Sequence, residues 1–154
     1  MTRMLIKNYR YCFISYIVLT VILLHSGCKK DDDENISQAY VNITIDPNST
    51  EYQNLNVVGG WLYLIANPPS RGIIVYRLYQ DEFKAYDRKP PYLPDECCNS
   101  YGCTRLIVDL PFVMDTCTVS TFQIIDGSPV DGPANVQLIQ YKATYDGQLL
   151  YITN

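Results

Sequence analysis

The chain has 154 residues, 47% hydrophobic and 18% charged, a globular composition of one-domain length. Its single histidine, His25, lies in an N-terminal apolar segment, so everything downstream lacks an imidazole and every mechanism or metal site that requires one. The net charge is −4, with no basic patch interleaved with aromatics, which argues against nucleic acid as a partner.

The first 27 residues carry Arg3, Lys7 and Arg10 and no acid. An apolar run follows over about residues 11–24, shorter than the roughly 20 residues a membrane span needs. Basic start and short apolar core match a secretory signal. Ser26-Gly27-Cys28 then resembles a lipobox, with cleavage before Cys28 and a lipid on its thiol; His25 stands where that motif usually has an aliphatic residue. A plain transmembrane anchor is the alternative. Lys29-Lys30-Asp31-Asp32-Asp33-Glu34 reads as a solvated tether. It also resembles the acidic export signal of Bacteroidetes surface lipoproteins. The expected division is a signal peptide over 1–27, a lipidated cysteine and tether over 28–39, and one β domain over 40–154. The expected location is the outer membrane, facing the periplasm or the exterior, with the lipid as the membrane contact. From Cys28 onward nine basic side chains face sixteen acidic ones, a net charge of about −7.

Beyond the tether, strands and turns alternate. Tyr40–Asp46 alternates apolar and polar, as a half-buried strand does. Gly60–Ala66 and Gly72–Tyr79 are strand-like runs around the turn cluster Asn67-Pro68-Pro69-Ser70. Glu82–Tyr86 is a short strand, and 87–103 a loop rich in Pro and Cys. Thr104–Leu110 and Val119–Ile125 are strands, followed by turns at 126–129 and 131–133. Leu138–Tyr145 and Gln148–Thr153 form a hairpin across Asp146-Gly147. Fourteen tyrosines favour strands further. No segment of helical period exists outside the signal, so the fold class is an antiparallel all-β sandwich or barrel.

Four cysteines remain in the domain: Cys97, Cys98, Cys103 and Cys117. In an exported chain an even number of thiols reads as disulfides. Two bridges, one bridge and a metal site are the readings, but the spacing lacks the paired CxxC of zinc or iron–sulfur sites. Adjacent Cys97 and Cys98 take different partners, because a vicinal disulfide is strained; Cys117 then bonds one of them and Cys103 the other.

Three stretches carry a family resemblance: Gly59-Gly60-Trp61-Leu62-Tyr63, Gly72–Arg77, and Phe83-Lys84-Ala85-Tyr86-Asp87-Arg88. With Phe122–Pro129, Gly132-Pro133-Ala134, Leu138 and Tyr141, they resemble a Rieske-type domain of Bacteroidetes lipoproteins over residues 40–153. The resemblance implies a Rieske-like β fold with a small loop-rich subdomain over about 87–122, two loops side by side, and a [2Fe–2S] cofactor. Its ligand positions fall on Pro90 and Leu93 in the first loop and on Asp115 and Thr118 in the second, in place of two cysteines and two histidines. A Rieske cluster needs two thiolates and two imidazoles, so no cofactor is expected. The family disulfide between the loops implies a bond from Cys117 to Cys97 or Cys98. Leu93, in place of an exposed imidazole, is expected to fill part of the space.

The expected function is that of a non-enzymatic, membrane-anchored lipoprotein whose scaffold serves binding or structure, with its partner unspecified. The alternative is a redox protein acting through its cysteines. A hydrolase built on Asp87, Asp109, Asp115, Asp131, Ser120 or Ser128 would lack the histidine of the common triad. Trp61, Tyr86, Tyr92 and Tyr101 are candidates for a binding surface, or half-buried strand residues.

Overall fold

Alternating side chains define the strands, and turn residues set their ends. The computed structural model describes residues 39–154; Cys28, the signal and the tether up to residue 38 lie outside it. Among the described residues twelve strands occur: β1 (Asn42–Ile45), β2 (Trp61–Leu64), β3 (Ile73–Tyr79), β4 (Glu82–Asp87), β5 (Cys98–Asn99), β6 (Gly102–Cys103), β7 (Ile107–Asp109), β8 (Phe112–Asp115), β9 (Ser120–Gln123), β10 (Pro129–Asp131), β11 (Gln140–Tyr145) and β12 (Leu150–Thr153). Among the described residues the helical content is one 3-10 turn, Gln53–Leu55. The domain is all-β, and its strand pairings are antiparallel.

Six strands form one sheet in the order β1-β12-β11-β4-β3-β2. Its two edges approach each other, because residues 42–43 of β1 and 65–67 beyond β2 line a common cleft. The sheet is therefore curled into a half-barrel. Four short strands form a second sheet, β10-β9-β8-β7, and β5-β6 is a two-stranded hairpin.

β3 and β4 are central because both of their faces are covered. Ile73 and Val75 point into the core of the curled sheet with Val41, Phe83, Ala85, Leu150 and Ile152. Ile74 and Tyr86 point the other way, into a second core with Leu106, Val113, Phe122 and Leu138. Successive side chains on a strand face opposite sides, so a strand between two cores is apolar at consecutive positions. That is why Ile73-Ile74-Val75 reads as an unbroken run. Each such side chain, fully buried, contributes about 1.5–3 kcal/mol.

Arg77 continues the inward row of β3 and is 1% exposed. It donates to the carbonyls of Leu55 (2.8 Å) and Gln80 (2.6 Å), and its guanidinium lies 5.0 Å from the Phe83 ring centroid. A buried cation is tolerable when its donors are met. Ala39 is tied to the C-terminus: it is 1% exposed, and its carbonyl accepts from Asn154 Nδ2 at 2.7 Å.

The structure differs from expectation in detail. The β5–β6 hairpin occupies a segment read as loop, β10 lies where two turns were expected, and β8 falls between the expected strands 104–110 and 119–125. β8 begins just after Pro111, and β10 is three residues held between two turns, so neither shows an alternation long enough to read. The loop-rich lobe correspondingly extends past residue 122, through β10. The Asp146-Gly147 hairpin forms with Tyr145 opposite Leu150, and Asp146 Oδ1 accepts from the amides of Gln148 and Leu149.

Candidate functional site

The first loop leaves the large sheet at Asp87, a carboxylate 3% exposed. It accepts from the amide of Lys89 (2.7 Å), the amide of Arg71 (3.1 Å) and the hydroxyl of Tyr141 (2.6 Å). Three donors satisfy the buried charge and set the direction in which the chain departs. Pro90 and Pro91 follow, both buried. The loop closes at its base where Leu106 N donates to Arg88 O and Arg88 Nε donates to Leu106 O. At its far end the β5–β6 hairpin presents Tyr101, 98% exposed.

The second loop joins β8 to β9. Asp115, 2% exposed, folds it onto itself. Its carboxylate accepts from Cys117 N (3.0 Å) and Thr118 Oγ1 (2.6 Å). Thr118 Oγ1 lies 2.9 Å from Ser120 Oγ, which also accepts from Ala134 N. Val119 at the tip has φ +59° and is 75% exposed. A β-branched residue seldom adopts that backbone.

Two disulfides organise the loops. Cys97–Cys117 joins the first loop to the second, with 5.9 Å between Cα atoms, and places them side by side. Cys98–Cys103 clamps the β5–β6 hairpin. The choice between Cys97 and Cys98 as partner of Cys117 thus falls on Cys97. Arg71 braces the same loop, donating to Thr104 O (2.8 Å) and Asp95 Oδ1 (2.7 Å).

The four positions assigned to cluster ligands lie on these loops, and their chemistry does not fit a [2Fe–2S] group. Pro90 offers no side-chain donor. Asp115 and Thr118 are bonded to each other, and the cysteines are paired in disulfides. Side-chain donors of Asp95, Cys98 and Cys103 lie within 4.8 Å of one another, yet both thiols are in one disulfide and cannot ligate as thiolates. The expectation that Leu93 fills the space is corrected. Leu93 has φ +43° and is 49% exposed, while Pro90 and Pro91 take the buried places beneath the loop.

The other singled-out residues are dispersed. Asp87 and Asp115 are buried and bonded as described, Asp109 and Asp131 are exposed, and Ser128 is paired with Asp126. Tyr86 is buried, Tyr92 packs against the second core, and Trp61 meets Tyr63 edge-on at 4.9 Å. Trp61 and Tyr63 also line an open groove of about 690 Å³ with Val57 and Leu110. Arg71 and Arg105 were not singled out by sequence, because a lone arginine beside a turn carries no periodic signal.

No family model matches the chain, and no curated protein matches it. Among solved structures it is similar to one chain of the "Complex of reduced oxygenase and oxidized ferredoxin in carbazole 1,9a-dioxygenase". The identity is 15%, covering 75% of this chain and 94% of that one, with a TM-score of 0.44. A likeness at this level carries no argument about the chemistry of the site.

Proposed function

We propose that the chain is a non-enzymatic lipoprotein, anchored through Cys28, whose domain is a Rieske-like scaffold without a cluster, used for binding. One observation carries the reading. The two loops that the sequence resemblance assigns to cluster binding are joined by Cys97–Cys117, while Pro90, Leu93, Asp115 and Thr118 stand at the ligand positions. A covalent staple takes over the ordering that a metal would supply, and the loop ends present apolar side chains. Leu93, Tyr101 and Val119 are exposed there, two of them on left-handed backbone. Strained, exposed apolar residues on a braced loop are features of a recognition surface. The lipid anchor and an outer-membrane location belong to this reading through the lipobox-like segment and the acidic run after it.

Redox action through the cysteines has one observation in its favour: Cys98, in the short Cys98–Cys103 bridge, is exposed, so its disulfide is open to an external thiol. One experiment separates the two. Iron content and visible absorption of the purified full chain are measured, with a thiol count before and after mild reductant. The binding reading expects no iron, no visible band, and domain thiols that appear only under denaturing reduction. Stoichiometric iron sinks it, and rapid release of Cys98 and Cys103 under mild reductant favours redox action.

A further inference from the structure

Residues 39–154 hold seven basic side chains against twelve acidic ones, yet three of the seven line one cleft. Its volume is about 230 Å³, and its wall includes Tyr63, Ser70, Arg71, Gly72, Arg88 and Arg105. On an acidic domain this is a local concentration of positive charge in a concave site, where field lines converge.

The three guanidinium groups are not equally engaged. Arg71 is neutralised by Asp95 at 2.7 Å, and its side chain is 11% exposed. Arg88 donates from Nε to Leu106 O at 3.1 Å and lies 3.7 Å from the Tyr63 ring centroid. Among the described residues, neither Nη group of Arg88 and no side-chain donor of Arg105 has a protein acceptor. Burial chiefly holds the Arg88 guanidinium below its ordinary pKa; Tyr63 opposes this, and the neighbouring charge of Arg105 adds a smaller push in the same direction as burial. Two like charges facing one concavity without counter-charge repel each other, and an anion between them relieves that repulsion.

Arg88 is also held in place. Its amide donates to Gly72 O at 2.8 Å, and its stem crosses Gly72 so closely that a Cβ there would sit 3.3 Å from Arg88 Cδ. Gly72 has φ +109°, a conformation that disfavours any side chain. A guanidinium fixed by its own backbone, a carbonyl and an aromatic face loses little freedom on binding. Its free edge presents the planar fork that suits a carboxylate, sulfate or phosphate. At about 230 Å³ the cleft has room for a small acid.

We propose that this cleft is an oxyanion-binding site, with Arg88 and Arg105 as the donors to the anion and Arg71 and Tyr63 as positioning residues. The inference stands independently of the function proposed above, because it involves neither the anchor nor the ligand positions.

The test is titration calorimetry on the full chain in detergent at low ionic strength, with sodium sulfate, glucuronate and glucose as separate probes. Glucose is expected not to bind. Equal binding of sulfate and glucuronate supports the site with an inorganic anion sufficient; binding of glucuronate alone supports it with an organic acid as the source. Arg105→Gln, an exposed change that leaves the core intact, is expected to weaken binding about tenfold or more. Lys142→Gln, an exposed cation outside the cleft, is expected to leave it unchanged. Absence of binding by both anions overturns the proposal. So does binding that Arg105→Gln leaves intact, or that Lys142→Gln weakens equally.

Discussion

The hydroxyl of Tyr141 donates to Asp87 Oδ2 across 2.6 Å, with both residues buried. The bond ties β11 to the end of β4, where the first loop departs. It therefore links the core of the large sheet to the direction of a loop whose tip is exposed.

Removing that donor leaves a buried carboxylate short of one partner. Tyr141→Phe is expected to destabilise the domain by about 1.5–3 kcal/mol, the range for a hydrogen bond to a charged group. Tyr86 is the control: its buried hydroxyl has no protein partner among the described residues. Tyr86→Phe is expected to cost less than 1 kcal/mol, since no hydrogen bond is lost. Urea denaturation of both variants checks the contrast, and equal losses would refute it.

The same two tyrosines set an alkaline limit. Burial chiefly, and nearby carboxylates after it, raise both above their ordinary value of 10.0. The native state thus keeps their protons at a pH where the unfolded chain releases them. Their contribution is fully present below pH 10 and is lost as pH rises above it. Denaturation midpoints between pH 8 and pH 11 are expected to fall only at the alkaline end, and less steeply in Tyr141→Phe.

The two disulfides should differ in worth. Cys97–Cys117 closes a separation of 20 residues and Cys98–Cys103 one of 5. The chain-entropy relation gives about 3 kcal/mol for the first and about 2 for the second. Paired Cys→Ser replacements with thermal unfolding measure this. Peptide maps of the non-reduced chain should show Cys97 linked to Cys117; a Cys98–Cys117 peptide would contradict the pairing.

Gly132 is the contact by which the turn after β10 lies on the second loop. Its φ is +88°, and a Cβ there would overlap Val119 O and lie 2.6 Å from Ser120 Cα. Gly132→Ala is expected to cost about 2–4 kcal/mol, combining backbone strain with displacement of the loop. A change below 0.5 kcal/mol would mean that the turn does not rest on the loop.

Processing is tested at Cys28. Cys28→Ser is expected to accumulate as an unlipidated precursor, read by electrophoresis and labelled palmitate. Label retained by the variant would rule out Cys28 as the lipid carrier.

Local chemistry made much of the fold legible. Asp146-Gly147 marks its hairpin because the αL backbone of the turn favours glycine, at φ +99° here. Asp126–Pro129 ends its strand in the same way, with Gly127 at φ +75°, whereas Asn67–Ser70 does so through two prolines, which cannot donate to a ladder. β8 and β10 were missed because three or four residues beside a proline do not establish a period. Arg77 was missed because an arginine in an apolar strand looks solvent-facing until its acceptors, Leu55 O and Gln80 O, are known.

By itself, then, the sequence determined the all-β class, the main turns, the lack of imidazole beyond His25 and the loops that hold the cysteines. These follow from residue type and from neighbours a few positions apart. Tertiary structure alone decided that β12 lies between β1 and β11, that Cys97 is the partner of Cys117, and that Leu93 faces outward. It alone brought Arg71, Arg88 and Arg105, spread over 34 positions, to one cleft. The physical reason is that a period of two fixes which face a side chain occupies but not which strand lies beside it. Pairing across such distances is chosen by the joint burial of two cores, a property of the whole chain and not of any segment.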